Sequence, residues 1–288
     1  MVALSASLLS CSHDEATVAP SAERVAVQFS SNISAGVRAT GTTWTAGDCI
    51  GIFMTQAGAT LAAETISEGV DNTAYATTGN GQFVPAQGAA TIYFPISGAV
   101  DFYAYYPQQA VADYALALNV YNQDNQEAID LMYATATGRD KTQPAVQLTF
   151  VHQLSSLVLD VQPGDGLTAA DLAGLTVKVK GQATTASFHL ADGTLTGAAA
   201  PADIAMKTVA AGSRYEAILL PTAAQSRELE FNLNNGHDAP FCWTMHGVLE
   251  PGTRYHYTTV RLSRTAAQVE GSIQPWTETT DNNENEAR

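Results

Sequence analysis

The residues that could do chemistry are few, and their spacing argues against most of it. The six histidines are scattered along the chain. His237-Asp238, beside the Asn234-Asn235-Gly236 turn, could hold a metal, but a solvated hairpin end accounts for it more simply. Asp124, Glu127 and Asp130 could bracket calcium, yet their spacing does not fit the acidic loop of about 12 residues that binds it. Asp101, Tyr103 and Tyr105 alternate along one strand face and could form a sugar-stacking platform, although a tyrosine ladder equally stabilises cross-strand pairs. There is no Gly-x-Ser-x-Gly elbow, no His-Glu-x-x-His, no phosphate loop and no Cys-x-x-Cys pair. We therefore expect no enzyme, no cofactor and no metal centre.

Of three cysteines, one has a chemical reading. Leu8-Leu9-Ser10-Cys11 resembles a bacterial lipobox, in which cleavage precedes a cysteine that then receives lipid, although the apolar run Val2 to Leu9 is short and lacks basic residues. Cys11 is the expected lipidation site, and no later stretch has the ~18 apolar residues of a membrane span. Cys49 and Cys242 are expected to be free, mostly buried thiols.

Composition narrows the class further. Charged residues make up 14% and hydrophobic ones 45%, against ~25% charged in a typical globular protein. Polarity comes from Thr, Ser, Asn, Gln and Gly, a mixture suited to strands and turns. A formal net charge of −15 argues against nucleic acid or an acidic membrane surface as partner.

The elements that must position any site are short strands. Val25, Val27, Phe29 and Ile33 alternate with polar residues and predict an opening strand. Strands are also expected over Ile50 to Met54, Thr91 to Phe94, Val100 to Tyr106, Tyr114 to Val120 and Leu131 to Ala134, with Asn80-Gly81 as a two-residue hairpin signal. Val146, Leu148, Phe150 and Leu154 share one parity; Leu157, Leu159 and Val161 take the other. A slip of one residue turns a strand's side chains to the opposite face, so this segment is the seam where the chain leaves one core for another, with His152 as a hydrogen-bonded junction histidine. Beyond it, strands are expected over Leu175 to Val179, Ala186 to Leu190, Tyr215 to Leu219, Leu229 to Leu233, Phe241 to Met245, Tyr255 to Leu262 and Val269 to Ile273. About seven strands per half, with turn signals every ~8–12 residues, predict β-sandwiches. The expected organisation is residues 1–24 as signal and linker, 25–153 and 154–276 as two tandem sandwich domains, and 277–288 as a polar, disordered tail.

Arg38-Ala39-Thr40-Gly41 with Trp44, Gly47-Asp48, Ile50-Gly51-Ile52-Phe53, Tyr93-Phe94-Pro95, the run Val100 to Pro107, Asp130 to Ala134, Leu148 to Ser155, Leu219-Leu220-Pro221 and Ile273 to Trp276 occur in an order that resembles the Mfa-like fimbrillins of anaerobic Gram-negative bacteria. The resemblance implies an all-β chain of two transthyretin-like Greek-key β-sandwich domains, secreted as an outer-membrane lipoprotein precursor and built into type V pili on the cell surface. It also implies that a protease cuts after an arginine in the first interstrand loop, here Arg38-Ala39. The strand bearing Val25, Val27, Phe29 and Ile33 then leaves, and a strand from another pilus subunit takes its place. A host or bacterial surface receptor is a further expected partner. Thr277 to Arg288 lacks apolar alternation and cannot refill such a groove, which favours a tip or accessory subunit. The competing expectation is a surface lipoprotein that binds carbohydrate or a protein partner without polymerising.

Overall fold

Alternating apolar and polar side chains become extended strand over about half of the computed structural model, which describes residues 24–33, 43–264 and 267–275. The first half supplies β1 (Gln28–Ile33), β2 (Cys49–Gln56), β3 (Thr73–Thr77), β4 (Gln82–Pro85), β5 (Val100–Tyr106), β6 (Ala115–Asn119), β7 (Met132–Arg139) and β8 (Ala145–His152). The second supplies β9 (Ser155–Pro163), β10 (Thr176–His189), β11 (Thr194–Ala205), β12 (Lys207–Ala210), β13 (Arg214–Leu219), β14 (Ser226–Asn232), β15 (Phe241–His246), β16 (Thr253–Leu262) and β17 (Ala267–Pro275).

Seven strands of the first half close on themselves in the order β1-β4-β3-β2-β5-β7-β8. The sandwich pattern predicts open sheets, but here β1 runs antiparallel to β4 and parallel to β8 and joins the two ends. A closed ring has no free edge. Its interior is filled by Ile50, Ile52 and Met54 of β2, the even-numbered residues of β5, and Val146, Leu148 and Phe150 of β8.

The remaining strands form two sheets. One is β11-β10-β14-β15, with β6 also paired to β10; the other is β12-β13-β9-β16-β17. They enclose a second core, to which Val177, Val179, Leu229 and Phe231 come from one sheet and Leu157, Leu159, Tyr215 and Tyr257 from the other. The seam lies between β8 and β9. Phe150 belongs to the first core and Leu154, of the same parity, already to the second, so the change of core falls between them, ahead of the change of parity. At the junction His152 is buried, with Nδ1 2.8 Å from the carboxylate of buried Asp130.

Several local expectations change in detail. The strand over Ala115–Asn119, within the span 25–153 read as one sandwich, lies against β10, pairing Leu116 with Phe188 and Leu118 with Ala186. Leu116 and Leu118 bury in the second core, and that burial outweighs chain proximity. Thr91 to Phe94 makes one isolated bridge, Ala26 with Tyr93, instead of a strand. The runs Leu175 to Val179 and Ala186 to Leu190 are largely one long strand, β10, with a register shift between Val179 and Gln182. The hairpin at Asn80-Gly81 turns through the four residues 78–81 rather than two, with Gly79 and Gly81 at positive φ.

The cysteines also differ from expectation. Both are free, but Cys242 is exposed and Cys49 only half-buried. Cys242 lies on β15, the outer strand of its sheet, one position from Trp243, which packs toward the core.

The outward face of the second sheet carries one strong ion pair. Arg214 Nε and Nη2 donate to Asp160 Oδ1 and Oδ2 at 2.6 and 2.9 Å, and His256 Nε2 lies 2.8 Å from Oδ2. The hydrogen bond from Arg214 pulls the Asp160 carboxyl below its ordinary range, against an opposing effect of burial. A carboxylate stronger as an acid in the folded state than in the unfolded one stabilises the fold above its unfolded pKa. That stability is lost as pH falls through the lower folded value. Asp160→Asn should therefore cost about 1–2 kcal/mol at pH 7, after allowing for the half-exposed arginine. The difference from the parent should shrink on acidification below about pH 4. Urea unfolding across a pH series checks this, and a gap that stays constant into acid would contradict it.

Candidate functional site

The best-defined candidate is built around β1, because this one strand closes the ring. Phe29 supplies its anchor: it is 1% exposed and meets the rings of Tyr75 and Phe102 edge-on, with centroids 5.3 and 5.2 Å away. Val27 is buried and Val25 packs against the same core. Ile33 ends the strand opposite Phe150 in the parallel register.

The backbone of this segment is engaged on both sides. Val27 N–H donates to Ile92 O, Gln28 N–H to Pro144 O and Ser31 N–H to Gly81 O, each within 2.8–2.9 Å, while Val25 O accepts from Phe94 N–H. The approach at Gly81 requires glycine: φ is +75°, and a Cβ there would sit 2.9 Å from Ser31 O. The Ile92 N–H donates to the hydroxyl of Tyr75 at 2.7 Å, and burial raises that phenol's pKa. At the entry, Arg24 pairs with Glu68 at 2.7 Å and lies 4.9 Å from the centroid of Tyr93.

Trp44 ties this strand to the chain beyond it. Its Nε1 donates to Ser31 Oγ at 2.9 Å, and its ring packs edge-on against Phe83, Tyr106 and Phe150. The segment 34–42 thus leaves from β1 and returns to a tryptophan bonded to β1. Arg38 and Ala39 lie in that segment, outside the described residues, as does Cys11. The strand is legible from alternation, but the roles of Tyr75, Ser31 and Gly81 are not. Only the Asn80-Gly81 turn signal marks that neighbourhood.

Asp101, Tyr103 and Tyr105 do share a face of β5, but it is not an exposed platform. Tyr105 is fully buried and Asp101 nearly so. The Tyr105 hydroxyl donates to Asn72 Oδ1 or Gln109 O, both at 2.7 Å, and its ring occupies the space where Gly51 has no side chain. The carboxylate of Asp101 accepts from Gly58 N–H and Gly138 N–H, each at 2.7 Å. The half-buried Tyr103 donates to Ala59 O. The reason is positional: the even residues of β5 fill the ring, and its odd face is covered by loops and the second core. Of the metal candidates, Asp130 is engaged by His152. Asp238 is held by Arg264 at 3.0 Å, which lowers its carboxyl pKa to about 2.

Comparison with known proteins fits this architecture. A family model described as "Fimbrillin-like" matches residues 37–276. The chain is 35% identical over 287 residues to a Bacteroides uniformis protein named "Putative fimbrium subunit Fim1C", covering 93% of this chain and 90% of that one. A crystal structure of a "putative cell adhesion protein" from Bacteroides uniformis superposes with a TM-score of 0.75 at 32% identity, covering 90% of this chain and all of the other. A Bacteroides ovatus protein so described shares the fold, with a TM-score of 0.67 at 21% identity, covering 89% and 99% of the two chains. A chain matched along most of its length in this way belongs to the fimbrillin-like family of structural subunits of surface fimbriae.

Proposed function

We propose that this fimbrial subunit is made as a precursor lipidated at Cys11 and anchored in the outer membrane, with β1 serving as a temporary plug. Hydrolysis of the Arg38-Ala39 peptide bond frees β1 from the rest of the chain, β1 leaves, and a strand from a neighbouring subunit enters the vacated slot. The observation that carries this reading is the pairing of β1 on both sides, with Phe29 buried between Tyr75 and Phe102.

Loss of β1 would bare one edge of β4 and one of β8, together with an apolar slot. Burying Val27 and Phe29 contributes about 3–6 kcal/mol, before any ladder hydrogen bond. An emptied slot of this kind is a template for β-strand addition. A tip or accessory position fits the engagement of the last apolar strand, β17, with β16 in its own sheet. Adhesion would then fall to surfaces away from the slot.

N-terminal sequencing of the protein taken from the cell surface should yield a chain beginning at Ala39, in assemblies that resist mild denaturant. Recovery of Cys11-linked material alone would overturn the processing scheme.

A further inference from the structure

We propose that the cleft between the 121–124 loop and the β11–β12 junction is a carbohydrate-binding site. It has a volume of about 650 Å³ and is lined by Tyr121, Asn122, Asp124, Met206, Lys207 and Thr208, among others. Tyr121 is 56% exposed and is the one aromatic residue among the large exposed apolar side chains of the described residues. An aromatic ring standing in water presents a flat apolar face. The C–H face of a pyranose matches such a surface, while the phenol can bond a hydroxyl.

The loop that carries the ring is held rigidly from below. Tyr121 N–H donates to Asn119 Oδ1. The next residue but one, Gln123, is buried and makes four hydrogen bonds, donating to Val120 O and Ile218 O and accepting from Ile218 N–H and Gln126 Nε2. A ring on such a support loses little freedom when it binds, which is the condition for a recognition surface built on aromatics.

The polar groups around it are equally available. Asp124 makes no ion pair through its carboxylate among the described residues. Lys207 lies opposite Glu216 in the β12–β13 register and makes no ion pair among the described residues. A cation and an anion thus line one cleft without being paired to each other. Together with the Asn122 carboxamide and the Thr208 hydroxyl, they supply the donors and acceptors that adjacent sugar hydroxyls require. Met206 closes the floor and is itself buried. Pockets of this kind combine an apolar surface with a few placed polar groups. The site borders the second core, through Met206, and does not depend on departure of β1, so the two proposals can fail separately.

The test uses the full, uncut chain and defined probes: lactose, N-acetyllactosamine, chitotriose, mannotriose and 3′-sialyllactose, measured by calorimetry and saturation-transfer NMR. At least one probe is expected to bind, with its ring protons saturated by the protein. Tyr121→Ala should weaken that binding about tenfold at an unchanged melting temperature, Tyr121→Phe should retain it, and Lys207→Ala or Asp124→Asn should weaken it several-fold. No binding of any probe at millimolar concentration would overturn the proposal. So would a probe whose affinity is indifferent to Tyr121→Ala.

Discussion

Phe29→Ala should cost the intact chain about 3–5 kcal/mol, the range for emptying a buried phenylalanine site. The upper part is expected, because Phe29 packs edge-on against two other buried rings, Tyr75 and Phe102, and each such contact adds about 0.5–1.5 kcal/mol beyond area burial. Neither ring can collapse into the space, since Tyr75 is fixed through its hydroxyl by Ile92 N–H and Phe102 lies on β5, which is paired on both sides. Urea unfolding of the uncut protein measures the loss. A destabilisation under about 1 kcal/mol would mean that Phe29 is not the anchor of β1.

The same substitution also probes the proposed plug. Once the 34–42 segment is cut, β1 is held only by non-covalent contacts, so a loss of this size should speed its release by at least about a hundredfold. Tracking β1 by a fluorophore at position 30, where the Ser30 Oγ donates to Gln147 at the surface, separates the two effects. Faster release from cut protein supports the plug. Equal rates for cut parent and variant would show that the strand is retained by something other than its core contacts.

Much of this fold can be read from alternation alone, because period two has a direct physical meaning. The assignment of β5 to Val100–Tyr106 comes from parity, and so does the existence of a passage between two cores, although Leu154 enters the second core before the parity changes. What alternation cannot state is which face meets water. Asp101, Tyr103 and Tyr105 look like a polar face, yet the outer side of β5 is covered by loops and the second core. The acid is therefore solvated by Gly58 and Gly138 N–H groups instead of water. Pairing between distant strands is equally hidden. Nothing in Tyr114 to Val120 says that β6 joins β10 rather than the ring, since Leu116 and Leu118 would be buried in either. Closure of the ring by β1 is invisible for the same reason: it depends on parallel pairing with β8, across more than a hundred residues.

Gln123 is the clearest case of a residue whose importance only the structure reveals, and Gln123→Leu should be among the most damaging single changes outside the hydrophobic cores. β12 pairs with β13 from Lys207 opposite Glu216 to Ala210 opposite Arg214, so it does not reach Ile218. On its other side Ile218 pairs with β9. Its free edge would be an unpaired backbone amide in a buried setting, and the carboxamide of Gln123 fills that place. Nε2 donates to Ile218 O at 2.9 Å and to Val120 O at 2.6 Å, while Oε1 accepts from Ile218 N–H at 2.8 Å and from Gln126 Nε2 at 3.1 Å. Leucine has a similar volume but none of these groups, so the change removes the bonds without opening a large cavity. Each buried donor or acceptor left unpaired costs about 1–3 kcal/mol. With the Ile218 amide and the Gln126 side chain both orphaned, a loss of roughly 3–5 kcal/mol is expected. Gln123→Glu distinguishes hydrogen bonding from packing: it keeps the acceptor for Ile218 N–H but, when ionised, has no donor for the two carbonyls. It should be at least as destabilising at neutral pH and recover partly in acid, where the protonated carboxyl regains one donor. Equal midpoints for parent and Gln123→Leu in urea would show that water, entering the edge of β13, can do what the glutamine does.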